Sequence, residues 1–346
     1  MSILASLRQI LSHAPAHPDG NPAWVTVCEC NAWKDYVLQV MRPHATRVRL
    51  RPGQSAQTVL AAIPPATRLV AIQIDASVTT DFPTSEPEFL AELEARGITV
   101  LNANGTDIRK STLHARCIAL GLPCVLADAD GPPNERVIIK TTLNAGGAPE
   151  RKLVRQWGAH ASQFALQLSN FVLGPKGYVV CRRDAVPAAV WGDPTLVVER
   201  FIENPAKCFY KALVVGDAAV VTEAWSDREI KRVTEPIRGR NNYYYWTRDG
   251  EHVAVGRSSD TALRALSLAR CLGQSLGLEL QATDFVMDAD GTLIPVDVNK
   301  TPFCGRRRRS PILTHLQHGI DDLLASHHLA ATTASAASTQ SLAMRA

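Results

Sequence analysis

The sequence lacks any run approaching the roughly 18 to 20 apolar residues that a helix needs to cross a bilayer, so no membrane span and no membrane partner is expected. Its start, MSILASLRQILSHAPAHPDG, has no long apolar centre and no clear small-residue cleavage site, which makes a cytoplasmic location the expectation. A strong charge of one sign is also missing. The formal balance is only +4, far below that of a nucleic-acid-coating protein, so at most a local phosphate site is expected and no nucleic-acid partner. The eight cysteines include no C-x-x-C and are scattered among apolar neighbours, which favours buried reduced thiols over disulfides. His315 and His318 have no second pair of ligands nearby, which argues against zinc. G-x-x-x-x-G-K-[ST] is absent, and no G-x-G-x-x-G follows a strand; these two gaps exclude a P-loop and argue against a dinucleotide-binding Rossmann domain.

What is present is a globular composition. Of 346 residues, 46% are apolar and 20% charged, enough for two or three packed subdomains with more than one core. Strand-like and helix-like periods alternate over the first hundred residues. Ala23–Cys28, Arg47–Leu50, Arg68–Ile74 and Ile98–Leu101 read as strands, with helices at Ala32–Met41 and Glu86–Arg96, the latter closed by Gly97. This order predicts a small parallel sheet covered by helices. A helix over Ile108–Leu120 stops at Gly121-Leu122-Pro123, because glycine accepts the left-handed cap and proline cannot continue.

Further on, strands are predicted at Cys124–Ala127, Arg136–Lys140, Tyr178–Cys181, Leu196–Ile202, Tyr210–Val215, Ala218–Glu223, Ala282–Met287 and Leu293–Asn299. Helices are predicted at Ala159–Phe171, Asp260–Leu276 and Ile312–Ala325. The fold class is therefore α/β, turning α+β in the C-terminal half where antiparallel hairpins dominate. Boundaries are expected near 104 and 190, giving segments 1–104, 105–190 and 191–325, with 326–346 a patternless Ala, Ser and Thr tail.

Thr283–Pro302, TDFVMDADGTLIPVDVNKTP, carries the sharpest chemical signal. Two apolar runs flank Asp290-Gly291, a strong hairpin signal. With those two residues as the loop, Ala289 faces Thr292, and counting back sets Asp284 opposite Asp297, with Asn299 on the same face two residues on. Hard oxygen donors in this number suit Mg²⁺, which takes one or two carboxylates together with phosphate oxygens and water. By itself the pattern also fits a solvated hairpin. Upstream, Arg136–Lys140 ends an apolar strand on a lysine and runs into TTLNAGGAPERK, where adjacent glycines let backbone N–H groups approach phosphates. Lys110 opens the helix before Gly121 and is a second candidate phosphate contact. Leu196–Ile202 can act as a connector offering backbone groups to a flat heteroaromatic ring, with Glu199 accepting from an exocyclic amine; an ordinary core strand is the alternative.

Taken in order, a lysine before a G-L-P-closed helix, a strand lysine with a glycine loop, the V-V-E-R-F-I connector and D…D-x-N-x-x-P resemble the ATP-grasp superfamily over roughly residues 1 to 325. The resemblance implies a small α/β domain followed by a two-subdomain ATP-grasp fold. It implies that Lys110 and Lys140 bind phosphates, that Gly146 and Gly147 lie in a flexible loop closing over the nucleotide, and that Glu199, Phe201 and Ile202 form the adenine connector. It makes Asp284, Asp297 and Asn299 the Mg²⁺ ligands, with ATP as nucleotide. Lys211 stands where many members carry an arginine on the γ-phosphate, which keeps the charge and loses the bidentate fork. Asp297 replaces the commoner glutamate.

The implied activity is ligation: a carboxylate takes the γ-phosphate, and an amine or other nucleophile captures the acyl phosphate, on a small metabolite or peptide. A kinase on the same fold, or a nucleotide-binding regulatory protein without catalysis, is the alternative. Dimers are common in the superfamily. Arg306–Arg309 could meet an acidic substrate or remain a solvated run. Lys231, Arg232, Arg238 and Arg240, beside Asn241–Trp246, could form a substrate wall, a stacking surface or, for the aromatic run, an edge strand.

Overall fold

The computed structural model describes residues 24–30, 36–51, 53–170, 173, 177–226, 229–230, 241–246, 252–254, 259–303 and 312–325. The four basic residues between 231 and 240, the run 306–309 and the tail 326–346 lie outside them.

Four strands, β1 (Val25–Glu29), β2 (Thr46–Arg49), β3 (Leu69–Gln73) and β4 (Thr99–Leu101), form a parallel sheet in the order β2-β1-β3-β4. Every residue of β1 is buried, as expected of a parallel strand covered on both faces. Cys28 faces a core shared with helices Ala56–Ala61 and Pro87–Ala95, whereas Val25 and Val27 face helix Val37–Met41 and helix 312–325. The helix 312–325 also packs on the second sheet through Val215, Val220 and Leu280, so it joins the two sheets. The approach is close at Gly319, where an added Cβ would lie 2.0 Å from the Val215 carbonyl oxygen.

A three-stranded antiparallel sheet follows: β5 (Arg136–Thr141) lies between β6 (Tyr178–Arg182) and β7 (Leu196–Arg200). β7 thus pairs with the earlier strands, across the boundary expected near residue 190. The largest sheet has the order β11-β10-β9-β8-β12-β13, built from β8 (Cys208–Val215), β9 (Ala218–Trp225), β10 (Asn241–Trp246), β11 (His252–Ala254), β12 (Leu280–Met287) and β13 (Leu293–Asn299). β10 carries the aromatic run and is an inner strand, not an edge, because β11 covers it. Helix Asp260–Leu276 spans one face of this sheet. Ser259 caps its start by accepting from the Ala262 N–H, and Gly277 closes it at φ +68°.

Three local expectations need correcting. Cys124–Ala127 is not a strand; one bridge, from Leu126 to Glu199, is all the pairing it makes. The helix expected over Ala159–Phe171 is a short turn followed by Ser162–Leu166. The stretch after the glycine pair is not open loop either. Asn144–Gly147 is a tight turn with Ala145, Gly146 and Gly147 all at positive φ, and it leads directly into helix Ala148–Trp157. Pro149 sits in that helix's first turn, where its missing N–H is not needed.

Candidate active site

Three adjacent strands of the large sheet put charged side chains in one row. Asp284 on β12 pairs with Lys211 on β8 on one side and with Asp297 on β13 on the other. Lys211 Nζ lies 3.0 Å from Asp284 Oδ1. From outside the sheet, Lys110 at the start of helix Lys110–Ala119 reaches Asp297 Oδ1 at 3.2 Å and Asn144 Oδ1 at 3.3 Å. The row therefore reads Lys211, Asp284, Asp297, Lys110, two cations bracketing two anions.

The route to this register differs from simple counting along the hairpin. Nearest the turn, Met287 faces Leu293 and the Asp288 N–H donates to the Thr292 carbonyl, so Ala289, Asp290 and Gly291 make a three-residue loop with Gly291 at φ +77°. A three-residue loop alone would have placed Val296 opposite Asp284. The register shifts between Asp284 and Phe285, where Pro295 faces Phe285 and Val296 is the extra residue. Proline lacks the N–H that a regular ladder would ask for, which suits it to this irregularity. Two departures of one residue cancel, and Asp297 arrives beside Asp284.

Asn299 pairs in register with Ala282; its Oδ1 accepts from the Thr301 N–H at 2.8 Å. Thr301 in turn donates to Asp75 Oδ1 at 3.1 Å, and Tyr36 donates to the other oxygen of Asp75, at the C-terminal end of β3. Burial pushes the Asp75 carboxyl upward from its ordinary range, against the hydrogen bonds from Tyr36 and Thr301 that lower it.

A second charged group lies on the small sheet. Lys140 and Glu199 form an ion pair between β5 and β7, where Ile138 is the residue directly opposite Glu199. The other Glu199 oxygen lies 3.1 Å from His114 Nε2, on the helix that Lys110 opens. Glu199 is fully buried, which by itself would raise its pKa. The Lys140 charge, the His114 hydrogen bond, the charge of a protonated His114 and the Lys140 hydrogen bond outweigh that and hold it down at about 2. Glu199 is thus committed to side chains of the protein. Phe201 begins the irregular connector after β7; its N–H donates to the Arg136 carbonyl at 2.9 Å, and the Arg136 guanidinium stacks 4.3 Å from its ring centroid. Ile202 follows it, half-buried.

Sequence reasoning missed the supporting polar residues. Asn144 ties the glycine turn to the row: its amide donates to the Val298 carbonyl at 2.7 Å and its N–H to Ser77 Oγ at 2.9 Å. Asn102 bridges β4 to the large sheet, accepting from the Glu279 and Leu280 N–H groups and donating to the Leu280 and Lys300 carbonyls. Its φ of +59°, tolerated best by asparagine among non-glycine residues, is the one signal that points to such a role. Among the described residues, no group of three or more His, Cys, Asp and Glu gathers as a self-sufficient metal cage.

No protein-family model matches the chain, and no curated protein matches it in sequence. Its structure is similar to that of an L-amino acid ligase from Bacillus licheniformis, with 11% identity, a TM-score of 0.44, and coverage of 85% of this chain and 73% of that one. It is similar to the VanG D-Ala:D-Ser ligase from Enterococcus faecalis, at 10% identity and TM-score 0.42, covering 88% and 98%. It is also similar to the ATP-grasp ligase PsnB, at 13% identity and TM-score 0.45, covering 86% and 99%.

Proposed function

We propose that the chain is an ATP- and Mg²⁺-dependent ligase, joining a carboxylate to an amine or other nucleophile through an acyl phosphate on a small metabolite or peptide. The observation that carries this reading is the row Lys211, Asp284, Asp297 and Lys110. Its donor set fits Mg²⁺. Two carboxylates and the Asn299 amide are all oxygen ligands, too few for a protein-only cage and the number Mg²⁺ takes when phosphate and water complete its shell. Asp284, Asp297 and Asn299 would hold the ion, which supplies charge neutralisation at the transferring phosphoryl group.

The remaining work falls to the chain's own residues. Lys110 and Lys140 bind phosphate oxygens as point charges. Gly146 and Gly147, in the turn that opens helix Ala148–Trp157, bring backbone N–H groups to the nucleotide. Phe201 and Ile202 flank the base, and Glu199 keeps Lys140 in place instead of touching the ring. Lys211 neutralises the γ-phosphate as the substrate carboxylate attacks, a step in which two anions must meet and which needs positive charge fixed in advance.

Calorimetric titration of ATP with Mg²⁺ into the full chain and into Asp297→Ala tests the site. Metal-dependent binding is expected in the wild type and not in the variant. If the wild type binds no nucleotide at millimolar ATP, the reading is wrong. Hydroxylamine then separates the chemistries: with the right acid present it captures an acyl phosphate as a hydroxamate from a ligase, whereas a kinase leaves a stable phosphorylated product.

A further inference from the structure

Two reactive side chains, Cys124 and His114, play no part in the proposed ligation. Cys124, in the irregular segment after helix Lys110–Ala119, has its Sγ 3.5 Å from His114 Nδ1. His114 Nε2 lies 3.1 Å from Glu199 Oε1. Arg200 holds the segment twice: its N–H donates to the Val125 carbonyl at 2.7 Å, and its guanidinium donates to the carbonyl of Cys124 itself at 2.9 Å.

The direction of these bonds follows from the carboxylate. Glu199 is ionised, so it can only accept, and the Nε2 proton of His114 must point at it. Neutral His114 therefore carries its proton on Nε2 and presents the Nδ1 lone pair to the thiol. A nucleophile, a base beside it and a third group that fixes the base's tautomer make the arrangement that activates a thiol. Burial separates the roles: His114 and Glu199 are buried, whereas Cys124 is half-buried. Among the described thiols, Cys124 is the one hydrogen-bonded to an imidazole, and burial raises Cys28, Cys30 and Cys117 to about 12.

We propose that Cys124 is a covalent modification site for soft electrophiles, activated by His114 and oriented through Glu199. The step balances simply. The thiol proton passes from Sγ to Nδ1; the sulfur pair forms a new S–C bond to the electrophilic carbon; the leaving group departs with its bonding pair; and the imidazolium returns its proton to solvent. The inference needs no nucleotide and does not rest on the ligase reading.

The test treats the intact chain with iodoacetamide near neutral pH and follows each cysteine by peptide mass spectrometry. Cys181 and Cys271, also half-buried, are the references, and the fully buried Cys28 and Cys117 report unfolding. Cys124 is expected to be alkylated about tenfold or more faster than either reference, the low end of what a positioned base supplies. In His114→Gln its rate is expected to fall to theirs while Cys28 and Cys117 stay unlabelled. A wild-type Cys124 no faster than Cys181 and Cys271 overturns the proposal, and that ranking needs no variant to fold. A folded His114→Gln chain with an unchanged Cys124 rate overturns it equally.

Discussion

Replacing Glu199 by glutamine removes a charge that the fold has arranged two groups to keep. The carboxylate is buried between Lys140 and His114, and its pKa falls from the ordinary 4.5 to about 2 despite the desolvation that opposes it. A group depressed in this way adds stability above its unfolded pKa, and that stability is lost as pH falls through the folded value. Removing one partner of a buried ion pair costs about 3 kcal/mol, because the other charge is left uncompensated. Glutamine keeps the shape and one acceptor but leaves Lys140 facing a neutral amide, so Glu199→Gln should lose stability of that order in urea unfolding at pH 7. The pH course is the sharper check. The gap between wild type and variant should narrow as the pH falls from 4.5 towards 2, as the unfolded carboxyl takes up its proton before the folded one does. A variant within about 1 kcal/mol of wild type at pH 7 would refute the argument, as would a gap that fails to narrow below pH 4.5.

Other perturbations probe packing and the row itself. Gly319→Ala should destabilise the chain by about 2 kcal/mol in thermal unfolding, because its methyl would have to displace the Val215 carbonyl, which is backbone and cannot swing away. Gly291→Val, at φ +77° with open space around it, should cost about 1 to 2 kcal/mol through left-handed strain alone, read as a shift of the urea midpoint. Phe285→Ala, fully buried between the large sheet and helix Asp260–Leu276, should cost about 3 to 5 kcal/mol by the same measurement. Lys211→Met should lower the rate of acid-dependent ADP release by about tenfold or more and change ATP affinity much less, because its charge is needed most as the phosphoryl group transfers. Equal losses in both would place Lys211 in binding instead.

The parts of the fold written locally were legible in the sequence. Helix Asp260–Leu276 is announced by Ser259 and closed by Gly277, and the two inner strands of the parallel sheet, β1 and β3, stand out as buried apolar runs. Helix Ala148–Trp157 was hidden because its start follows two glycines and contains a proline, signals that elsewhere mean a loop. The juxtaposition of Asp284 and Asp297 was reached by counting a two-residue turn, but the protein gets there by a longer turn and a compensating bulge. Counting alone could not have distinguished these routes. Lys140 and Glu199 were each conspicuous, yet only the pairing of β5 with β7 makes them partners. His114 and Asn144 carried no signal at all, since a histidine inside a helix and an asparagine in a turn are ordinary until tertiary structure supplies their neighbours.

The charged row has to be judged against the plain alternative of two structural ion pairs. Asp284, Asp297 and Lys211 each keep about a third of their side-chain surface in water. At that exposure the Lys211–Asp284 pair contributes about 0 to 1 kcal/mol, and for the Lys110–Asp297 pair burial of the ammonium offsets much of the attraction. Setting Asp284 directly beside Asp297 works against even that, because like charges facing each other across a ladder repel. A fold that needed only stability would do as well with neutral residues in these four places. The arrangement gains a purpose when each lysine can leave its carboxylate for a phosphate oxygen and each carboxylate can take a divalent cation in return. Neither exchange is favourable alone: a cation without phosphate would sit against two lysines, and phosphate without a cation would sit against two carboxylates. On the proposed reading, the row therefore favours the ion and the nucleotide arriving together.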